Sequence, residues 1–158
     1  MKSVSDTQRS IISLHHQDPA HDTSFFYPEY WPMLVDWADE LASTVQYPAN
    51  QICTDDFTGP LANNTNLGAK GVIALEAFAQ LCVRAGAGPG SGTNCSTYSH
   101  MAAKFAMTWQ QHAYTEKPQP HYKMSFNDIP GIVDSWSLKY VIKQCIQYTH
   151  IICYASPD

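Results

Sequence analysis

The stretch YPANQICTDDFTGPLANNTNLGAKGVIAL, residues 47–75, holds the transition on which the fold turns. Its first half is dense in Pro, Gly, Asn and Asp, residues that build turns rather than repeats. From Asn66 onward the pattern changes. Leu67, Gly71, Leu75, Phe78 and Cys82 recur at helical spacing, and Val72, Ala79 and Val83 widen that stripe. The spacing predicts a helix over 66–84, with Thr65 or Asn64 as its N-cap, because a side-chain oxygen there accepts an otherwise orphaned backbone N–H. Gly68 and Gly71 each cost up to ~1 kcal/mol inside a helix. They mark either a close approach by a neighbouring helix or simple tolerance.

Working outward, a first helix is predicted over 32–45, where Leu34, Trp37, Ala38, Leu41 and Val45 make one apolar stripe. Pro32 suits its first turn, and Tyr47-Pro48 ends it, since the residue before proline avoids helical angles. Beyond the second helix, residues 85–93 read as a flexible Gly-rich linker with no phosphate-cradle motif. A third helix follows from Ser96 or Thr97 to Thr115. Its stripe is Tyr98, Met101, Phe105, Trp109 and His112, and His112 is expected as a hydrogen-bonded core histidine. Residues 121–126 (HYKMSF) alternate weakly, as a short extended piece does. Asn127 to Gly131 form a turn, Ser135 is the candidate cap of a fourth helix through Tyr140, and the pattern of the remaining residues fits helix and strand equally well.

The chain has 158 residues, 44% apolar but only 15% charged, a composition unlike that of disordered segments. Nine basic residues against fourteen acidic ones form no stripe able to neutralise a phosphate backbone, so no nucleic acid partner is expected. No stretch reaches the about 20 consecutive apolar residues of a membrane span, so no membrane partner is expected either. Five cysteines at 53, 82, 95, 145 and 153 include no C-x-x-C pair, which argues against paired-thiolate zinc sites. Cys82 is expected as a small buried hydrophobe on its helix face, and disulfide pairing is left open. Two N-x-[ST] sequons place candidate glycosylation acceptors at Asn63 and Asn94. Residues 1–24 are polar and contain no apolar run of the kind a signal peptide needs.

The loop-to-helix stretch resembles the six-helical-hairpin domain of the glutaminase A family. Asn50, Gln51, Ile52, Cys53, Thr54, Asp55, Asp56, Phe57, Gly59, Leu61, Ala62, Asn64, Asn66, Leu67 and Lys70 match that family's block between two helices. YPEYWPMLVDWADEL, MAAKFAMTWQQHA and SFNDIPGIVDSWSLKY are similar to it as well. The resemblance implies an all-α fold in which helical hairpins form part of an (α/α)6 toroid. Such a ring needs twelve helices and at most four are legible, so the sequence resembles a truncated member. Residues 1–26 are an unmatched polar segment, 27–140 a partial six-hairpin domain, and 141–158 a divergent tail. The resemblance implies secretion for the parent protein.

The chemistry centres on Asp55 and Asp56 in the helix-to-helix loop. Adjacent carboxylates buried together repel. One is therefore expected to bond local backbone N–H groups, with a lowered pKa, while the other faces a cleft and is raised by desolvation. That separation assigns acid and base roles to two like groups. An Asx-turn pair that merely shapes the loop is the structural alternative. Thr54, Asn64 and Asn66 offer hydroxyl and amide groups to a polar substrate, or act as caps and turns. Lys70, one helical turn after Asn66, would stabilise a carboxylate or stay solvated. A hard-cation site of Asp55 and Asp56 matches no known loop pattern, so neither metal nor other cofactor is expected.

The resemblance implies hydrolysis of the side-chain amide of L-glutamine to glutamate and ammonia by the full family domain. The alternatives are a glycoside-active six-hairpin domain, for which Trp31, Trp37, Trp109 and Trp136 would be candidate sugar platforms, and a non-catalytic fragment. Trp37 and Trp109 read as core. The expected partners are a small-molecule substrate (glutamine or sugar) and either the missing helices of the parent domain or a second copy of the chain.

Overall fold

The computed structural model describes residues 29–52, 59–86, 92–116 and 121–127. Three helices carry the described chain: α1 (Trp31–Thr44), α2 (Thr65–Arg84) and α3 (Cys95–Ala113). Two short strands follow, β1 (Tyr114–Thr115) and β2 (His121–Tyr122), paired antiparallel with Tyr114 opposite Tyr122.

Each helix follows from its own pattern. Leu34, Ala38 and Leu41 of α1 are buried along one face, Val45 continues the stripe, and Pro32 sits in the first turn. The helix begins one residue earlier than its spacing predicts, at Trp31, which is buried and stacks on Phe78 at 5.5 Å. α2 is buried nearly all round, as a helix apolar on every face must be. It is long and apolar enough to cross a membrane by composition, but most of its surface lies inside the protein. α3 buries Tyr98, Ala102, Phe105, Ala106, Trp109 and Ala113 and turns Ser96, His100, Lys104 and Gln111 to solvent.

The contacts fix the helix directions. α2 and α3 form an antiparallel hairpin: Cys82 meets Cys95 at one end, Ser99 Oγ donates to Glu76 Oε2 at 2.9 Å, and Trp109 reaches Thr65 at the other. α1 runs alongside α3 in the same direction. Trp31 Nε1 donates to Thr93 Oγ1, Tyr98 Oη to Asp39 Oδ1, and Gln46 Nε2 to Thr108 Oγ1. The described fold is thus an up-down-up arrangement in which α2 is central. Its main core joins all three helices around Phe78, Leu75 and Leu41. Full burial of side chains of this size contributes about 1.5–3 kcal/mol each.

Four expectations change. Cys82 is not a lone buried hydrophobe but is disulfide-bonded to Cys95, with Cα atoms 5.5 Å apart. The Gly-rich stretch expected as a linker therefore has its two ends tied together, and it closes a helical hairpin. α3 stops at Ala113 and residues 114–115 are strand, because Tyr114 and Thr115 pair with the extended 121–122 segment. His112 lies exposed at the end of α3, its ring packed against Tyr47 and Phe126 rather than inside the core. The predicted turn beyond Asn127, the Ser135 helix and the tail all lie outside the described residues.

Candidate functional site

The N-terminal end of α2 is where the sequence concentrates its polar chemistry. Asn64 stands at the N-cap with extended backbone angles, and the Leu67 N–H donates to its Oδ1 at 3.0 Å. Asn64 is fully buried, so its side-chain oxygen is engaged by the cap. Asn63 precedes it at φ 54°, a left-handed conformation that Asn tolerates better than most residues. Asn66 is buried in the first turn of α2, and Lys70, one turn on, is half-buried. Asn66 and Lys70 are i, i+4 neighbours on one side of the helix.

The loop before α2 is closed by an antiparallel bridge between Gln51 and Leu61, in which the Leu61 N–H donates to the Gln51 carbonyl at 3.1 Å. A second tie runs from the Asn63 N–H to the Pro48 carbonyl at 2.7 Å. The two ends of the segment that contains Thr54, Asp55 and Asp56 are thereby held together beside the α2 N-cap. Thr54, Asp55 and Asp56 themselves lie outside the described residues, as does Trp136.

A third segment seals the same pole. Residues 121–127 leave the hairpin strand and cross the start of α2. The Thr65 N–H donates to the Met124 carbonyl at 2.9 Å and the Phe126 N–H to the Asn63 carbonyl at 2.9 Å. Ser125 Oγ donates to the Ala62 carbonyl at 3.0 Å, and Asn63 Nδ2 donates to Asn127 Oδ1 at 3.3 Å. Lys123 Nζ donates to the Phe126 carbonyl at 2.8 Å, which closes the turn on itself. Beneath this strap lies a second small core of Ala69, Trp109, Ala113 and Phe126. Trp109 Nε1 donates to the Thr65 carbonyl at 2.8 Å while its ring stacks on Tyr122 at 5.2 Å.

The structure therefore brings Asn64, Asn66 and Lys70 to one pole, with the ends of the Asp-bearing loop beside them. Sequence reasoning missed the strap. The weak alternation of residues 121–126 marks an extended piece, but nothing in it announces that Ser125 and Phe126 bond across to Ala62 and Asn63. Trp31 and Trp109 are core residues, and Trp37 packs partly buried against the core. Tyr122 has its pKa raised above the usual tyrosine value, by burial first and by the neighbouring Tyr114 second. At the rim of the pole, Tyr47 is 54% exposed and Ile52 61% exposed, large apolar surfaces flanking the loop.

The family model described as the Glutaminase A six helical-hairpin domain matches residues 7–145. That match extends past both edges of the 27–140 stretch on which the resemblance rests. A curated relative, Glutaminase A of Aspergillus oryzae (strain ATCC 42149 / RIB 40), is 34% identical over 127 residues, covering 78% of this chain. The chain spans 18% of that relative's length. No solved structure matches the chain.

Proposed function

Since the chain belongs to the glutaminase A six helical-hairpin domain family, we propose that it is part of a hydrolase acting on the side-chain amide of L-glutamine. The products are glutamate and ammonia. The observation that carries this reading is the family match over residues 7–145, together with the bridge that holds the ends of the Asp55-Asp56 segment against the α2 N-terminus. In this reading one of the two aspartates withdraws a proton from the attacking water, and the other protonates the departing nitrogen. Thr54 and Asn66 hold the polar substrate, and Lys70 offers its charge to a carboxylate of the substrate or of the aspartate pair.

The helices described are one and a half hairpins of a larger ring in this proposal. Exposed Tyr47 and Ile52 at the rim are the surfaces that further helices of the parent domain cover. Activity accordingly belongs to the longer protein, and the 158-residue chain alone turns over negligible glutamine. Burial of Trp31 and Trp109 in the core removes two of the four candidate sugar platforms, which weighs against the glycoside reading.

The experiment compares a longer protein carrying the whole domain with its Asp55→Asn and Asp56→Asn variants. Ammonia released from glutamine and reducing ends released from oligosaccharides are measured in parallel. Ammonia release that collapses in at least one Asn variant supports the reading. Wild-type activity in both variants, or sugar release without ammonia, overturns it.

A further inference from the structure

Two sequons are present, and the fold treats them in opposite ways. At the first, Asn63 has its backbone N–H donated to Pro48, its carbonyl bonded by Phe126, and its side-chain nitrogen donated to Asn127. The middle residue, Asn64, is the buried cap of α2, and the third, Thr65, is 0% exposed. A glycan on Asn63 Nδ2 would displace Asn127 and press on the strap that seals the α2 N-terminus. At the second, Asn94 and Ser96 are both exposed at the opposite pole, where Ser96 Oγ donates to Asn94 Oδ1 at 2.8 Å. Nothing in the described fold need move to carry a sugar there.

The middle residue of this second sequon is Cys95, which is bonded to Cys82. Such bonds form and persist in oxidising compartments, where N-glycans are also added. The same tripeptide thus serves two modifications. The disulfide closes a ring over a sequence separation of 13 residues, with Asn94 next to its closing cysteine. Once closed, that ring restricts the backbone freedom the tripeptide needs to enter a transferase.

We propose that Asn94, and not Asn63, is the N-glycan acceptor of this chain, and that its occupancy is limited by closure of the Cys82–Cys95 disulfide. The donor is a polyprenyl-diphosphate-linked oligosaccharide. Asn94 Nδ2 attacks its anomeric carbon, the new C–N bond forms as the C–O bond to diphosphate breaks, the amide proton passes to a base of the transferase, and the polyprenyl diphosphate departs.

The full 158-residue chain, fused behind a cleavable leader, is translated with microsomes and scored by glycosidase-sensitive gel shift. This readout does not require a variant to fold stably. The wild type is expected to show one partial single-glycan shift, lost in Asn94→Gln and Ser96→Ala and retained in Asn63→Gln. Cys82→Ser is expected to raise the shifted fraction from partial to near complete, as is reductant added during translation. A shift that disappears in Asn63→Gln but survives Asn94→Gln overturns the proposal, as does a doubly shifted wild type or no shift at all. Unchanged occupancy in Cys82→Ser overturns the coupling to the disulfide.

Discussion

At Gly68 a methyl group would lie 3.2 Å from Phe126 Cζ and 3.2 Å from Trp109 Cδ1. Alanine is ordinarily better than glycine in a helix by about 1 kcal/mol. Here the contact decides the sign, because Trp109 is pinned by its bond to the Thr65 carbonyl and by stacking on Tyr122, and cannot give way cheaply. Overpacking of this kind costs about 1–3 kcal/mol. Gly68→Ala should therefore lower the urea midpoint, and a raised midpoint would show that the indole moves. The sequence offered two readings of Gly68, close approach or tolerance, and could not choose because the partner, Trp109, lies 41 positions away. The cap at Asn64 was legible from local chemistry alone. Asn64→Ala should cost about 1 kcal/mol of stability, with Asn64→Ser recovering most of it. Chemical denaturation of the three proteins measures both.

Between elements, two long-range ties matter most. The Cys82–Cys95 bond closes a loop of a length for which chain entropy gives roughly 3 kcal/mol. Replacing both cysteines with serine should remove a stabilisation of that order, and reductant should lower the wild-type melting temperature by more than the double variant's. Helical periodicity revealed that Cys82 was buried, yet burial of a thiol and of a half-cystine look alike in one dimension. The second tie joins α1 to α3 through Tyr98 Oη and Asp39 Oδ1 at 2.7 Å. Burial first, then the hydrogen bond and charge of Asp39, raise the Tyr98 pKa above its usual 10.0. The folded form thus holds the proton more tightly than the unfolded chain. Its contribution is fully present below pH 10 and is lost as pH climbs toward the folded value. Tyr122 is shifted in the same direction. Melting temperature should fall above pH 10, and less steeply in Tyr98→Phe. The ends of the helices were read to within two residues. The strand pair was half seen, since two-residue strands carry too little pattern to outvote a helix running into them.

For the whole molecule, the apolar stripes of α1 and α3 both turn inward onto α2, which is why the helix count and order of the described region were legible from spacing. The pole at the start of α2 was legible only in its α2 half. The strap of residues 121–127 reaches it through main-chain bonds that no side-chain pattern announces. The purified 158-residue chain should release negligible ammonia from glutamine. Turnover by that chain at the rate of a longer protein would mean that the three described helices and their flanking residues already build a complete site.

The covalent staple between the two longest helices also governs what happens when the backbone is cut. A protease that nicks any peptide bond between residues 82 and 95 would leave the two pieces joined through sulfur. The clipped protein should travel as one band on a non-reducing gel and split into two only after thiol treatment. Damage in the glycine-rich stretch would thus go unnoticed by the remainder of the bundle for as long as the surroundings stay oxidising.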